Sequence, residues 1–479
     1  MSTESEGNGL EKTDRETLVR DVAELFNTYV AEGIRVDSFV EKATPSLKIE
    51  DLDELLDLYF VLTQGKIETD TGREVNGVLP FVEELPDRIR RLKTTMGRPI
   101  EITEDLIRGP VDWRETIAAR GKRPGNAERV FAYGEPTKRF DLPENRVLKR
   151  LLYVIDEIVE QRIRGIVDSD TDYAWAAPWT DQEQYPHHLR ETLDENPYLN
   201  QIDEPDERLP FEDIDNVSRA RSELYREAAT LLQYYRRLQR HDLYPSEARR
   251  LLKQFFLTPG PESSSIDSDG TEVLFEFYWA FKLLESVPSP RLELVRQSAQ
   301  SGVVAKWSTS DDEYTLFHDS HNPAGLRFQT SDRDSRPPET DETNADFFSQ
   351  KRRFVRTFAP FYDEISRART ADTVNRRPDI VVVRRDLESR ELDKVMLGEV
   401  KYSKSQKTVR EGVEQILETV SGLHVHESGG KEFFASSGEL LEDDRIEAAL
   451  FVDESPYDFD TYPDELTVYE YGDSPKIPF

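Results

Sequence analysis

Two carboxylates and a lysine, set at strand spacing, are the residues of this chain best placed to do chemistry. Arg376-Arg377-Pro378-Asp379 leads into the apolar run Ile380-Val381-Val382-Val383, and Leu397-Gly398-Glu399-Val400-Lys401-Tyr402 follows with its glutamate twenty positions after Asp379. Both runs are apolar and rich in β-branched residues, so each predicts a strand. The charged segment between them, Arg384 to Lys394, is long enough to turn one strand back beside the other. Side chains alternate along a strand, so Glu399 and Lys401 share a face, and Asp379 stands at the start of the first strand. Such charges at the end of a buried strand pair are costly unless they bind something. Two carboxylates attract a hard cation such as Mg2+, which keeps waters in its shell. A neighbouring lysine can orient or deprotonate an attacking water and offset developing negative charge. An exposed strand with ordinary ion pairs is the alternative reading of the same residues.

The elements that must position this group are legible around it. Thr271 to Val287 predicts a helix in which Leu274, Phe275, Tyr278, Phe281, Leu283 and Leu284 surround Glu276. A carboxylate inside so apolar a helix needs a partner. Glu272 is the competing, more exposed acid, and a solvent-facing Glu276 is the plain alternative. Leu292 to Val295 predicts a strand, Gly302 to Trp307 with Glu313 to His318 a hairpin, and Leu326 to Gln329 another short strand. Gln406 to Val420 predicts a helix with Val409, Val413, Ile416, Leu417 and Val420 inward, and Ala448 to Val452 and Leu466 to Tyr471 two further strands. The most basic stretch runs through Arg352, Arg353, Arg356, Arg367 and Arg369 to Arg376 and Arg377, and Lys404, Lys407 and Arg410 extend it. There a phosphate backbone would pass; local pairing with Asp and Glu is the alternative for each residue.

Pro378-Asp379 followed by Glu399-Val400-Lys401 resembles the PD-(D/E)XK nuclease superfamily. The resemblance implies that Asp379 and Glu399 hold Mg2+ (Mn2+ is the other candidate), that the Val400 carbonyl is an extra ligand, and that Lys401 activates water for phosphodiester hydrolysis. It implies that Glu276, from the opening helix of the fold, orders the metal's outer waters or binds a second ion. It also implies that Gln415 faces the site from the helix after the second strand; a solvent-facing glutamine is the alternative.

A second set of signals precedes these. Arg108-Gly109-Pro110-Val111-Asp112-Trp113-Arg114-Glu115-Thr116 reads as turn, short strand and helix start. Asp141-Leu142-Pro143-Glu144-Asn145-Arg146-Val147-Leu148-Lys149 opens a helix, with Asp141 the expected cap and Pro143 and Glu144 in its first turn. Physically these are packing signals. In this order, ahead of the nuclease-like motif, they are similar to the N-terminal portion of McrC-like restriction-system proteins, over roughly residues 75–165 and 214–425. That resemblance implies a DNA endonuclease subunit of a restriction or anti-phage system that works with a separate AAA+ NTPase motor. No Gly-x-x-x-x-Gly-Lys-[Ser/Thr] stretch occurs in the chain, so a motor would be another chain.

Composition bounds the rest. The 479 residues carry a formal charge of -33, with 33% charged and 37% hydrophobic side chains, which allows folded cores and several domains. Acid is spread along the whole chain and arginine outnumbers lysine by more than two to one, as in proteins of salt-loving archaea. Such a chain meets DNA through local basic clusters rather than bulk charge. A non-catalytic acidic scaffold or DNA mimic that assembles with an NTPase motor is the rival reading. With no cysteine, disulfides and zinc-thiolate or iron–sulfur sites are excluded, and the seven histidines, His187-His188 among them, show no metal-site spacing. No apolar run reaches membrane-span length and the start is polar, so a cytoplasmic location is expected. The expected organisation is a disordered tail (1–13), an α+β, mainly helical lobe (14–165), an acidic linker or insertion (166–213), a helical stem (214–258), and an α/β PD-(D/E)XK nuclease domain with a mixed central sheet (259–479).

Overall fold

A computed structural model describes residues 12–30, 34–43, 49, 51–68, 72, 74–90, 92–98, 100–104, 106–122, 129–134, 137–163, 177–180, 185–202, 209–257, 269–287, 302–330, 374–375, 377–427, 430–433, 444–459, 462 and 466–477. The chain forms two compact units, Met1–Leu55 with Arg240–Phe479, and Leu56–Gln239. This grouping differs from a continuous 14–165 lobe, because the first helices pack on the C-terminal segment. The expected strand Leu292–Val295 and the basic helix from Lys351 lie outside the described residues.

In the first unit the helices are α1 (Arg15–Val30), α2 (Asp37–Ala43), α3 (Pro245–Phe256), α4 (Asp269–Glu285) and α5 (Gln406–Gly422). Its six main strands are β1 (Val303–Ser308), β2 (Asp312–His318), β3 (Ile380–Asp386), β4 (Leu392–Lys401), β5 (Ile446–Val452) and β6 (Leu466–Glu470). They make one mixed sheet whose spatial order follows the chain. β1 to β4 meander antiparallel; β5 and β6 join parallel, with α5 in the crossover from β4 to β5. The expected hairpin, the paired strands and the two closing strands are therefore present.

Both faces of the sheet are covered, which is why Ile380-Val381-Val382-Val383 is buried without alternation. Val381, Val383, Leu397, Ala448, Leu450 and Val452 cluster with Val409, Val413, Ile416, Leu417 and Val420 of α5, the face expected from spacing. Each such valine, leucine or isoleucine stabilises the fold by about 1.5–3 kcal/mol relative to exposure. On the opposite face Trp279 of α4 lies 4.8 Å, ring to ring, from Phe451 of β5. Gly398 permits this close layer: a Cβ there would meet Phe451 Cε2 at 2.8 Å and Ile380 Cβ at 3.2 Å. α1 joins the same unit through Phe26, edge-on to Phe277 at 5.8 Å, and Tyr29, stacked on Phe281 at 5.6 Å.

Among its described residues the second unit is mainly helical with three short two-stranded ribbons, one of them Ile100–Thr103 paired with Phe131–Gly134. Its two motifs hold it together. Asp112 caps the helix Trp113–Gly121 by accepting from Arg114 N at 3.0 Å and Glu115 N at 3.1 Å. Buried Asn145 donates to Phe140 O at 2.6 Å and Lys93 O at 2.8 Å, while Tyr225 OH donates to its Oδ1 at 2.7 Å. Buried Lys149 donates to Ile202 O at 2.6 Å and Leu199 O at 3.2 Å. Asp141 is not the helix cap. Leu142 occupies that position without a side-chain bond, and Asp141 instead forms a two-pronged ion pair with Arg146, a stronger use of a carboxylate beside a guanidinium. Within the expected linker, residues 185–202 form helical turns with Leu189 and Leu199 buried. No helix among the described residues is long and apolar enough to cross a membrane.

Candidate active site

Asp379 and Glu399 come together because of the β3–β4 register. The last named pair is Ile380 opposite Gly398, so the next position sets Asp379 opposite Glu399. Facing residues of an antiparallel pair share a face, and Lys401 follows on it. β3 begins only after Pro378, which has no N–H to give to a ladder. The Val400 N–H, left without a strand partner on that side, donates to Asp379 Oδ2 at 2.8 Å. The Val400 carbonyl leaves the strand toward the same edge. Lys401 Nζ donates to Glu399 Oε1 at 2.6 Å, and its stem lies against α5, where a Cβ on Gly412 would meet Lys401 Cγ at 3.0 Å.

Glu276 reaches this strand end from α4, on the other face of the sheet, and brings partners that the sequence did not single out. Lys42 of α2 donates to both its oxygens, at 2.8 and 2.7 Å, and stands 3.7 Å from Asp379 Oδ1. His318, at the end of β2, is fully buried with Nε2 2.8 Å from Glu276 Oε2 and Nδ1 3.0 Å from Ser38 Oγ. Next to it Asp319 takes a left-handed backbone (φ 48) that aspartate tolerates better than most residues. Its N–H donates to Asp379 O at 3.0 Å, and its carboxylate accepts from Arg377 Nε at 2.5 Å. Sequence reasoning missed Lys42, His318 and Asp319. The only signal was a lone histidine ending an apolar strand.

Burial dominates the electrostatics. It pushes the Glu399 carboxyl up to about 8, with the charge of Asp379 adding to the effect. Asp379 is raised by burial and then by Glu276, and Glu276 is raised by burial against the pull of Lys42. Burial alone would depress both ammonium groups, yet the carboxylates around them raise Lys401 and Lys42 above the ordinary lysine value. Burial, then the charge of Lys42, holds His318 down to about 3, so its ring is neutral. With Glu276 ionised, Nε2 donates to it and Nδ1 accepts from the Ser38 hydroxyl.

The remaining expected residues distribute unevenly. Gln415 is on α5 one turn past Gly412, and among the described residues its Oε1 is a buried acceptor with no hydrogen-bond partner. Arg377 is exposed and shared between Asp319 and His321, whose Nε2 is 3.0 Å from Arg377 Nη1. Lys404 pairs with Glu454 at 2.8 Å, and exposed Lys407 lies 3.8 Å from Glu411. Arg352, Arg353 and Arg376 lie outside the described residues.

Among the described residues, no group of three or more His, Cys, Asp and Glu side chains stands close enough together to hold a metal ion. A hard cation that keeps its waters needs only one or two carboxylates. Asp379 and Glu399, facing oxygen donors both raised by burial, the first then by Glu276 and the second by Asp379, are of the donor type that lesser requirement asks for.

No family model matches the chain, and no curated protein matches it. Among solved structures, one similar chain comes from a half-complex of Thermococcus gammatolerans McrB AAA+ hexamers with bound McrC. The identity is 11% and the TM-score 0.20, over 87% of this chain and 70% of that one.

Proposed function

We propose that the chain is a Mg2+-dependent DNA endonuclease subunit of a restriction or anti-phage system, with its site in a PD-(D/E)XK-type domain. One observation carries this reading: the β3–β4 register sets Asp379 opposite Glu399, with Lys401 on the same face and bonded to Glu399. The motif resemblance supports the restriction context and a separate AAA+ motor. In the proposed mechanism Asp379 and Glu399, with the Val400 carbonyl, would hold Mg2+ (or Mn2+), which would supply Lewis acidity toward the phosphodiester and acidify a water. Val400 N–H fixes the Asp379 carboxylate. Lys401, kept charged by its neighbours, orients the attacking water and offsets the charge that develops on the phosphate. Glu276 fixes the cation side of the site through Lys42 and His318. Gln415 Oε1, a buried acceptor in want of a donor, accepts a hydrogen bond from a water on the α5 side.

The test is cleavage of duplex DNA in Mg2+ at high salt by the purified chain, alone and with candidate NTPase motors. Lys401→Ala and Asp379→Ala are expected to lower the rate about 10²-fold or more with folding intact. Either variant cutting at the wild-type rate rejects the assignment. In the rival reading, a non-catalytic acidic scaffold, no partner elicits cleavage.

A further inference from the structure

Lys42 is placed where a cation would be expected. It is no loose surface side chain, because α2 is fixed on three sides. Phe39 stacks on His318 at 3.6 Å and on Phe277 at 4.2 Å. Ser38 bonds His318, and Arg35 N donates to Val304 O of β1 at 2.9 Å. The ammonium carried by this anchored helix spans Glu276 and the Oδ1 of Asp379, while Oδ2 of Asp379 is already held by the Val400 N–H. The carboxyl groups of Glu276, Asp379 and Glu399 are already engaged by the ammonium groups of Lys42 and Lys401 without any metal. A divalent cation entering this group meets an ammonium on the Asp379 oxygen it needs, and like charges at such distances repel strongly when partly buried.

We propose that Lys42 is an internal counter-ion: it occupies Asp379 and Glu276 until a divalent cation binds, and cation binding displaces it from Asp379. The inference rests on the metal-site reading above and adds a competitor to it. It assigns to α2, far away in the chain, the setting of metal affinity. It also recasts Glu276 as the residue that positions Lys42 rather than a direct metal ligand.

Mn2+ binding to the purified chain, measured by calorimetry, tests this on wild type, Lys42→Gln, Lys42→Arg and Asp379→Asn. Lys42→Gln keeps a donor for Glu276 but loses the charge, and it should bind Mn2+ about tenfold or more tightly than wild type. Lys42→Arg should stay close to wild type. In the unmodified chain, amine acylation followed by mass spectrometry should label Lys42 faster with Mn2+ present, a measurement that needs no variant to fold. Unchanged or weaker affinity in Lys42→Gln, or Lys42 labelling indifferent to Mn2+, overturns the inference while wild-type binding that requires Asp379 leaves the metal site standing. Wild-type chain that binds no Mn2+, or Asp379→Asn that binds it equally well, overturns the metal site and the inference together.

Discussion

Glu399 allows a test of the site's electrostatics that needs no substrate. In the metal-free native state its carboxyl keeps its proton up to about pH 8, whereas the ordinary value is 4.5. Between those values the native state binds more protons than the unfolded chain, so stability is fully present below about 4.5 and is lost as pH rises through about 8. The difference, 8 − 4.5 = 3.5 units, sets a ceiling of about 5 kcal/mol at about 1.4 kcal/mol per unit. Glu399→Gln keeps the shape and an acceptor for Lys401 but cannot titrate. The assay is the thermal midpoint in EDTA from about pH 5 to about pH 9, for wild type and variant. Wild type should fall relative to the variant by up to about 10 °C over that window, at about 2 °C per kcal/mol. Mg2+ should shrink the difference, since a cation favours the ionised carboxylate. A constant offset between the curves is expected, because an amide oxygen replaces the carboxyl as the acceptor for Lys401; the slope decides. Parallel curves would refute the claim that Glu399 is a buried, strained acid.

Two further outcomes follow from the same structure. His318 is held neutral down to about 3 while the unfolded ring takes a proton near 6.5, so stability should fall as pH drops through that window; thermal midpoints of His318→Gln should lack this acid limb, and identical limbs in the two proteins would contradict the assignment. Asn145→Ala strands the acceptors Lys93 O and Phe140 O and the Tyr225 hydroxyl, and urea unfolding should show a loss of about 1–3 kcal/mol with Mn2+ affinity unchanged.

The parts of the fold that could be read from sequence are those in which local pattern and final environment coincide. The apolar runs of β3 and β4 are buried strands, as their residue types predict, and the one-sided stripe of α5 packs on the sheet. Asp379, Glu399 and Lys401 were legible because one register relates them. Lys42 was not, since it lies 234 positions from Glu276 and its seven-residue helix shows an ordinary mixture of charge and apolar groups. His318 was hidden for a similar reason: a neutral histidine in a buried strand looks like any satisfied core residue until its two partners are known. The grouping of α1 with the C-terminal segment escaped notice because aromatic packing, Phe26 on Phe277 and Tyr29 on Phe281, leaves no periodic trace connecting distant stretches. Asp141 was misassigned as a cap because an acid before Pro-Glu fits two local uses, and only the position of Arg146 chooses between them.

The acidity of the chain then constrains how DNA would be held on the nuclease reading. The cations near the site that the structure describes already have acidic neighbours: Lys401 with Glu399, Lys42 with Glu276, Arg377 with Asp319, Lys404 with Glu454. A phosphate arriving there gains little by adding to an excess of positive charge; it must exchange places with a carboxylate. High salt makes that exchange easier in two ways, by screening the long-range repulsion of a chain at -33 and by weakening the exposed pairs more than the buried ones. Lys404–Glu454 and Arg377–Asp319 are the pairs open to solvent, whereas Glu399, Glu276 and Asp379 stay shielded. DNA binding on the nuclease reading is therefore a swap of partners at the rim around an electrostatically closed centre. On the same reading, that centre would open to a divalent cation once the Lys42 ammonium leaves Asp379.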